Sequence, residues 1–328
     1  MQSGYGEIRN VLEWSESESV PAPTGHDVQI QVRAASVNPI DWQMIEGNRR
    51  LIARRRFPFT PLFDIAGVVA AVGPRVSRFS VGDRVHADNE RDGGGASEYV
   101  NVDERLVAHS PAGASFAEAA SIPLAAQTAL TCLERGGVTA QSRIAVIGAS
   151  GGVGHFVVQM ARAAGAYVVS VASPRNHEFV HSLGSDFVVD RSRSDLASSF
   201  GSGTFDVVID CVGGREQWQQ AQQVLRPGGR FVTIARDEDG VVTPASAVRL
   251  ITTISARRVR GARPSGIKYE PVFLKASGDL LRRVDAMVEA GEIRVHITRR
   301  FPMTLDGVIA ALDESRSGRA VGKLALEW

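Results

Sequence analysis

Residues 143 to 164 read RIAVIGASGGVGHFVVQMARAA, with glycines at 148, 151, 152 and 154 between an apolar run and a segment of helical apolar period. Such a loop can do anion chemistry. Backbone N–H groups at the helix start can hold a pyrophosphate, because no Cβ blocks its approach at Gly148, Gly151, Gly152 or Gly154 and the helix dipole favours the charge. Ser150 and Val153 complete the cradle. The spacing Gly148-x-x-Gly151-x-x-Gly154 departs from the usual G-x-G-x-x-G, so the weight rests on its context, strand before and helix after. A tight turn that binds nothing is the plain alternative. The residues 148 to 152 also fit G-x-S-x-G, the nucleophile elbow of a serine hydrolase. Ser150 would then be the nucleophile, with Asp210 and His296 following in chain order and the glycines 93 to 95 as an oxyanion loop. Against that, the hundred residues before the elbow show none of the βα alternation such a sheet requires.

Which nucleotide the cradle suits depends on the end of the next strand. A carboxylate ~20 residues beyond the first glycine accepts hydrogen bonds from both ribose hydroxyls of NAD. None occurs here between Gly148 and Glu178. Instead YVVSVA runs into Ser173, Pro174, Arg175 and Asn176, a hydroxyl and a guanidinium where a 2′-phosphate would lie. NADPH is the expected cofactor.

These residues need a scaffold, and the apolar pattern supplies an α/β one. From Pro123 the chain is helical, and after Arg143 the runs RIAVIG, YVVSVA, DFVVD, FDVVID and GRFVTI each precede a stretch long enough to cross over a sheet. Strands buried on both faces read this way, so residues 123–265 are expected to form a doubly wound parallel-sheet domain. Residues 28 to 107 differ: VQIQVRAASV, DIAGVVAAVG, DRVHA and ASEYVNV, separated by Gly, Pro and Asp, predict an irregular antiparallel β domain. After Pro264 come two helical patterns, LLRRVDAMVEAG and DGVIAALDESRSG, and a terminal strand, GKLALEW.

Composition excludes several partners. The chain has 37 Lys plus Arg against 36 Asp plus Glu in 328 residues, a net +1 that attracts neither nucleic acid nor an anionic membrane. No apolar stretch reaches the ~18 to 20 residues of a membrane span. With only Cys132 and Cys211, no disulfide framework or four-cysteine zinc lobe can form, which suits a reducing cytoplasm.

Taken together, VLEW, AASVNPIDW, DIAGVVAAVG, VGDRV, ASEYV, AASIPLAAQTAL, GASGGVGHFVVQMARAAGA, DVVIDCVGG, LRPGGRFV and GKLAL, in this order, resemble the zinc-independent quinone oxidoreductase branch of the medium-chain dehydrogenases and reductases. The resemblance implies a GroES-like β domain from residues 1–122 and 266–328, with a Rossmann NADP(H)-binding domain inserted at 123–265, and a homodimer. Its implied activity is hydride transfer from NADPH to a quinone or an α,β-unsaturated carbonyl or thioester. A nucleotide-binding protein of this fold with a non-redox biosynthetic or sensor role is the alternative. On the cofactor side it adds Arg191, for which a solvated loop arginine is the alternative, together with Gly213, Ile234 and Lys323.

Zinc-dependent relatives carry a cysteine ligand and a Gly-His-Glu where this chain has Asn38 and Leu62-Phe63-Asp64. Asn and Phe are poor zinc ligands, and a catalytic site needs about three good ones. A quinone or enone manages without the metal, because hydride addition gives a weakly basic phenolate or enolate that hydrogen bonds can stabilise. The resemblance puts the Asn38 amide beside the nicotinamide, though a turn cap ahead of Pro39 is an alternative role. Asp41 and Trp42 could line the pocket, or Asp41 could merely cap the next helix. Thr128 could approach the nicotinamide end, or its hydroxyl could bond the backbone of its own helix. Two departures stand out: Asn48, Arg49 and Arg50 replace a family tyrosine, and Leu62 replaces a glycine and either narrows the substrate pocket or packs in the core with Phe63. The five arginines between 49 and 56 are read as a solvated helix face or a site for an anionic substrate.

Overall fold

The computed structural model describes residues 1–16, 20–51, 53–90, 92–235, 241–263 and 266–328. The chain divides into two compact units, one of Met1–Gln127, Lys275–Gly291 and Val295–Trp328, the other of Thr128–Leu274 with Glu292–Arg294. The division falls inside the helix Pro123–Gly136 and after Leu274, whereas the boundary expected at 265/266 touches residues 264–265, outside the described residues.

The first unit is a seven-stranded sheet, with β1 (Asp27–Val37), β2 (Asp64–Val72), β3 (Arg84–Asp88), β4 (Tyr99–Asp103), β5 (Val107–His109), β12 (Ile297–Pro302) and β13 (Lys323–Glu327). Its order is β12-β13-β1-β2-β3-β5, with β4 also on β1, and every pair except β12–β13 is antiparallel. The alternation in β1 explains the layering. Val28, Ile30 and Val32 point into one core with Ile65, Val69, Val85 and Val102. A register shift between Val32 and Ala34 interrupts the alternation, and beyond it β1 is buried on both faces. Helix Phe116–Ala120 closes one side through Ala119 and Ala120, while Leu62, Ile45, Leu324 and Leu326 close the other. The helix Gly278–Glu289 is pinned by a buried pair, His86 Nε2 to Asp285 Oδ2 at 3.1 Å, with His86 Nδ1 on Ala119 O at 2.9 Å. His86 is thus a buried structural residue.

In the second unit β6 (Arg143–Ile147), β7 (Tyr167–Ala172), β8 (Phe187–Asp190), β9 (Phe205–Asp210), β10 (Leu225–Thr233) and β11 (Lys268–Pro271) form an all-parallel sheet. The order β11-β10-β9-β6-β7-β8 is the doubly wound one. All strands run the same way, but the order in which they are laid down reverses between β6 and β9, and ligands in such folds bind at the carboxyl ends of the strands flanking that switch. Val169, Phe205, Val208 and Phe231 fill the core on one side, as expected of runs buried on both faces.

Candidate active site

In the nucleotide unit, β6 ends at Ile147 and Gly148 turns the chain with φ 78°. Gly151 N–H donates to Gly148 O at 3.0 Å, and a Cβ on Gly154 would stand 2.1 Å from that same oxygen. Only glycine allows the helix Gly154–Ala163 to start so close to the strand. No side chain caps its first turn. A phosphate fits the donors of an uncapped helix start.

Ser150 is not poised as a nucleophile. Its Oγ accepts from Asn176 Nδ2 at 2.9 Å, which ties the glycine loop to the turn Pro174–Asn176 at the end of β7. Asp210 closes the end of β9: Oδ1 accepts from the N–H groups of Val212 and Gly213 at 3.0 and 2.9 Å, and Oδ2 from Thr233 Oγ1 at 3.0 Å. The glycines 93 to 95 pack against Thr60, Val100 and Leu62 rather than forming an oxyanion loop. The parallel sheet also begins at β6, so the hydrolase reading is set aside.

The 2′-phosphate candidates lie on adjoining strands. Ala172 and Asp190 are register partners at the ends of β7 and β8, and Arg191 N–H donates to Ala172 O at 3.1 Å. This brings the backbone of Arg191 beside Ser173, with Arg175 and Arg191 both exposed. Asp190, the acid at this edge, is turned into its own loop, where Ser192 donates from N at 2.9 Å and Oγ at 2.7 Å and holds the carboxyl below its usual range. Gly213 and Ile234 flank Asp210, with Ile234 N–H on its carbonyl at 3.2 Å. Thr128 is buried in its helix.

In the β unit the structure assembles a polar cluster that the spacing did not reveal. Lys323 Nζ donates to Asn38 Oδ1 at 2.5 Å and lies 3.4 Å from Asp64 Oδ2 and Val37 O. Asn38 Nδ2 donates to Asp64 Oδ2 at 2.8 Å, Ser36 Oγ to the same oxygen at 3.0 Å, and Leu124 N–H to Oδ1 at 2.8 Å. Asn38 and Lys323 are therefore one buried network, and Lys323 contacts the residue assigned to the substrate side. Asp64 and Ser36 were missed by sequence reasoning. The available signal was the period of two, which puts Ser36, Asp64 and Asp88 in one row across β1, β2 and β3.

Asp41 caps the helix Pro39–Ile45, its Oδ2 accepting from Asn38 N–H at 2.7 Å while Oδ1 has no partner. Burial pushes its carboxyl up to about 8, against the pull of the Asn38 N–H. Asp88 has no partner on either oxygen, and burial with the adjacent Asp64 charge holds it well above the carboxylate range. The Trp42 indole N–H is also buried and unpartnered, as a group reserved for a ligand would be.

Leu62 does not narrow a pocket. It has φ 71°, the one non-glycine positive value among the described residues, yet its side chain is wholly buried against Ile8, Leu12, Val37 and Ile45. The left-handed backbone turns the isobutyl group into the core, and Gly95 makes room, since a Cβ there would lie 2.9 Å from that of Leu62. The arginine run is not a helix face either. Residues 49–51 are turns, Arg49 donates to Gln43, and Arg55 stacks on Phe59 and Phe63 at 4.8 and 5.2 Å while donating to Glu90 O at 2.7 Å.

A zinc ion does not suit this cluster. Both polar atoms of the Asn38 side chain are engaged, Phe63 has no lone pair to give, and among the described residues no three His, Cys, Asp or Glu converge as ligands.

A doubly wound unit with a glycine cradle at its reversal point, joined to a β unit carrying a buried Asn–Lys–Asp network, defines a nucleotide-dependent dehydrogenase or reductase. Residues 24–112 match the alcohol dehydrogenase GroES-like domain and residues 183–326 the zinc-binding dehydrogenase family. A 2-methylene-furan-3-one reductase of Solanum lycopersicum is 31% identical over 331 residues, 98% of this chain and 76% of the relative. In Arabidopsis thaliana, a chloroplast envelope quinone oxidoreductase homolog is 32% identical, covering 94% of this chain and 92% of the relative. An NADPH-dependent alkenal/one oxidoreductase from the same plant is 28% identical, covering 99% and 78%. The solved quinone oxidoreductase from Coxiella burnetii superposes with a TM-score of 0.84 at 25% identity, covering 100% of this chain and 98% of that one. The chain belongs to the medium-chain dehydrogenase/reductase superfamily, among its quinone oxidoreductases and alkenal reductases, and is an oxidoreductase.

Proposed function

We propose that this enzyme uses NADPH to reduce a quinone or an α,β-unsaturated carbonyl compound, without zinc. The observation that carries the reading is the arrangement at the ends of β6, β7 and β8: a glycine cradle, no acid at the end of β7, and Arg175 and Arg191 on adjoining edges. Gly148, Ser150, Gly151, Gly152, Val153 and Gly154 would hold the pyrophosphate, Gly213 and Ile234 would line its far side, and Ser173, Arg175 and Arg191 would hold the 2′-phosphate. Asn176 acts by fastening Ser150. The relative that is named for its NADPH dependence supports the same choice.

When bound, the nicotinamide supplies hydride to an electrophilic carbon. The chain's part is to hold the substrate oxygen on which negative charge then develops. Asn38 commits one N–H to Asp64 and keeps the other, and the Lys323 ammonium on its Oδ1 polarises the amide and strengthens that donor. Asp41 holds the Asn38 backbone, Trp42 offers its unpartnered N–H to the substrate, and Thr128 faces the nicotinamide end. Protonation of the enolate or phenolate, from solvent or another donor, completes the reduction. The free thiols of Cys132 and Cys211 fit the cytoplasm, and two copies are expected to assemble, which light scattering measures.

The test is turnover of NADPH with a panel of quinones and enals alongside nucleotide-induced thermal shift. Turnover supports the reading; a shift without turnover assigns the protein to a non-redox role. Calorimetry of both nucleotides checks the phosphate pocket. Arg175→Ala should reduce the preference for NADPH about tenfold, the effect of a charge-assisted bond at an exposed site, and equal binding of NADH and NADPH by the parent enzyme would overturn the assignment.

A further inference from the structure

We propose that the outward face of helix Pro244–Gly261, in the nucleotide unit, is a docking surface for an anionic lipid bilayer. The inward face is ordinary. Arg257 is buried over Trp218 and Tyr269, its guanidinium carbon 5.0 and 4.8 Å from the ring centres, and Ile254 packs on the core. The outward face reverses the usual pattern, in which the solvent side of a surface helix is charged and mixed in sign.

Val248, Thr252, Ser255 and Val259 recur at intervals of four, three and four and so form one stripe along the helix, with Ile251 beside it. Val248, Ile251 and Val259 are 61%, 65% and 73% exposed. By the same period Arg258 lies on one flank of the stripe and Arg249 and Arg260 on the other, all three exposed. Residues 241–263 contain five arginines and no acid. The nearest preceding acids, Asp237, Glu238 and Asp239, are outside the described residues.

An apolar stripe bordered by arginines matches the boundary between acyl chains and anionic headgroups: the valines and isoleucine enter the first, and the guanidinium groups reach the second. Charge selects this occupant over a second copy of the chain. A two-fold pairing of the face would set Arg258 and Arg260 against their own copies with no acid from 241–263 to oppose them. Contact with the bilayer would be peripheral, because no described helix is long and apolar enough to cross it. The whole-chain net charge of +1 conceals the patch by averaging over it.

The experiment is flotation of the full-length protein with vesicles of phosphatidylcholine alone and of phosphatidylcholine with phosphatidylserine, at low and high salt. Binding should need the anionic lipid and fall with salt. Replacing Arg249, Arg258 and Arg260 together by Gln should weaken it roughly a hundredfold, at about fivefold per arginine. Val259→Glu should abolish insertion, while Val81→Glu, at a 66% exposed valine of the other unit, should leave binding unchanged. The proposal fails if anionic vesicles are not bound at low salt, if the arginine variant binds as the parent does, or if Val81→Glu is as damaging as Val259→Glu. It fails equally if Val259→Glu splits a lipid-free dimer into monomers, which would make the face a subunit interface.

Discussion

Replacing Asp41 by Asn tests whether the capping acid beside Asn38 is neutral in the folded protein. Its carboxyl rises from 3.8 to about 8, chiefly through burial. An acid raised by folding binds its proton more tightly folded than unfolded. Its contribution to stability is therefore complete below pH 3.8 and is lost as pH rises toward about 8. Each pH unit within that window removes up to about 1.4 kcal/mol. Asn at this position can still accept the Asn38 N–H but does not titrate. Between pH 5 and pH 8 the variant should gain about 2 to 4 kcal/mol relative to the parent, the upper figure being the full slope over that window. A constant offset of about 1 kcal/mol for the new, unpartnered N–H group is expected and does not affect the slope. Urea unfolding at four pH values measures the difference. If parent and variant run parallel from pH 5 to pH 8, Asp41 is ionised in the fold and the reasoning is wrong.

Leu62→Gly should relieve a left-handed leucine, by about 1 to 2 kcal/mol, yet lose the larger energy of a buried side chain, about 2 to 5 kcal/mol. Thermal denaturation should show net destabilisation, with no rise in turnover of a small quinone. Asn176→Ala should weaken binding of NADH and NADPH alike by releasing the glycine loop, in contrast to Arg175→Ala, and calorimetry of both nucleotides separates the two effects. Elemental analysis of protein purified without added metal should find no stoichiometric zinc, and chelation should leave turnover intact.

What the sequence made legible was local. The strand-loop-helix at 143–164 and the buried runs that became β6 to β10 depend on periodicity within a few residues, and the glycines declare the loop. The match of Asn38 and Lys323 to a family pattern identified both positions but not their contact. That bond joins residues 285 apart, and no short-range pattern encodes it. Leu62 stayed open between pocket and core because its side-chain direction follows from a left-handed backbone that a leucine rarely adopts, and from space that Gly95 vacates two strands later. The helix Pro244–Gly261 escaped for the opposite reason. Its outward valines give an apolar pattern on the side where a charged one marks the surface.

The buried charges of the β unit explain why a lysine should stand behind Asn38. Three carboxyls, Asp41, Asp64 and Asp88, share this interior with one ammonium, and all three cannot be ionised in a low dielectric. The hydrogen bonds are shared unevenly among them. Asp64 collects donors from Ser36, Asn38, Leu124 and Lys323, whereas Asp88, directly opposite on β3, collects none. Asp64 therefore holds the donors of the cluster, the Lys323 ammonium among them, and burial favours the neutral acid at Asp41 and Asp88. In the proposed reaction, negative charge arriving on a substrate oxygen at Asn38 would meet an N–H polarised by that ammonium. An ionised Asp88 would add a negative charge to the row that holds Asp64 and weaken that stabilisation.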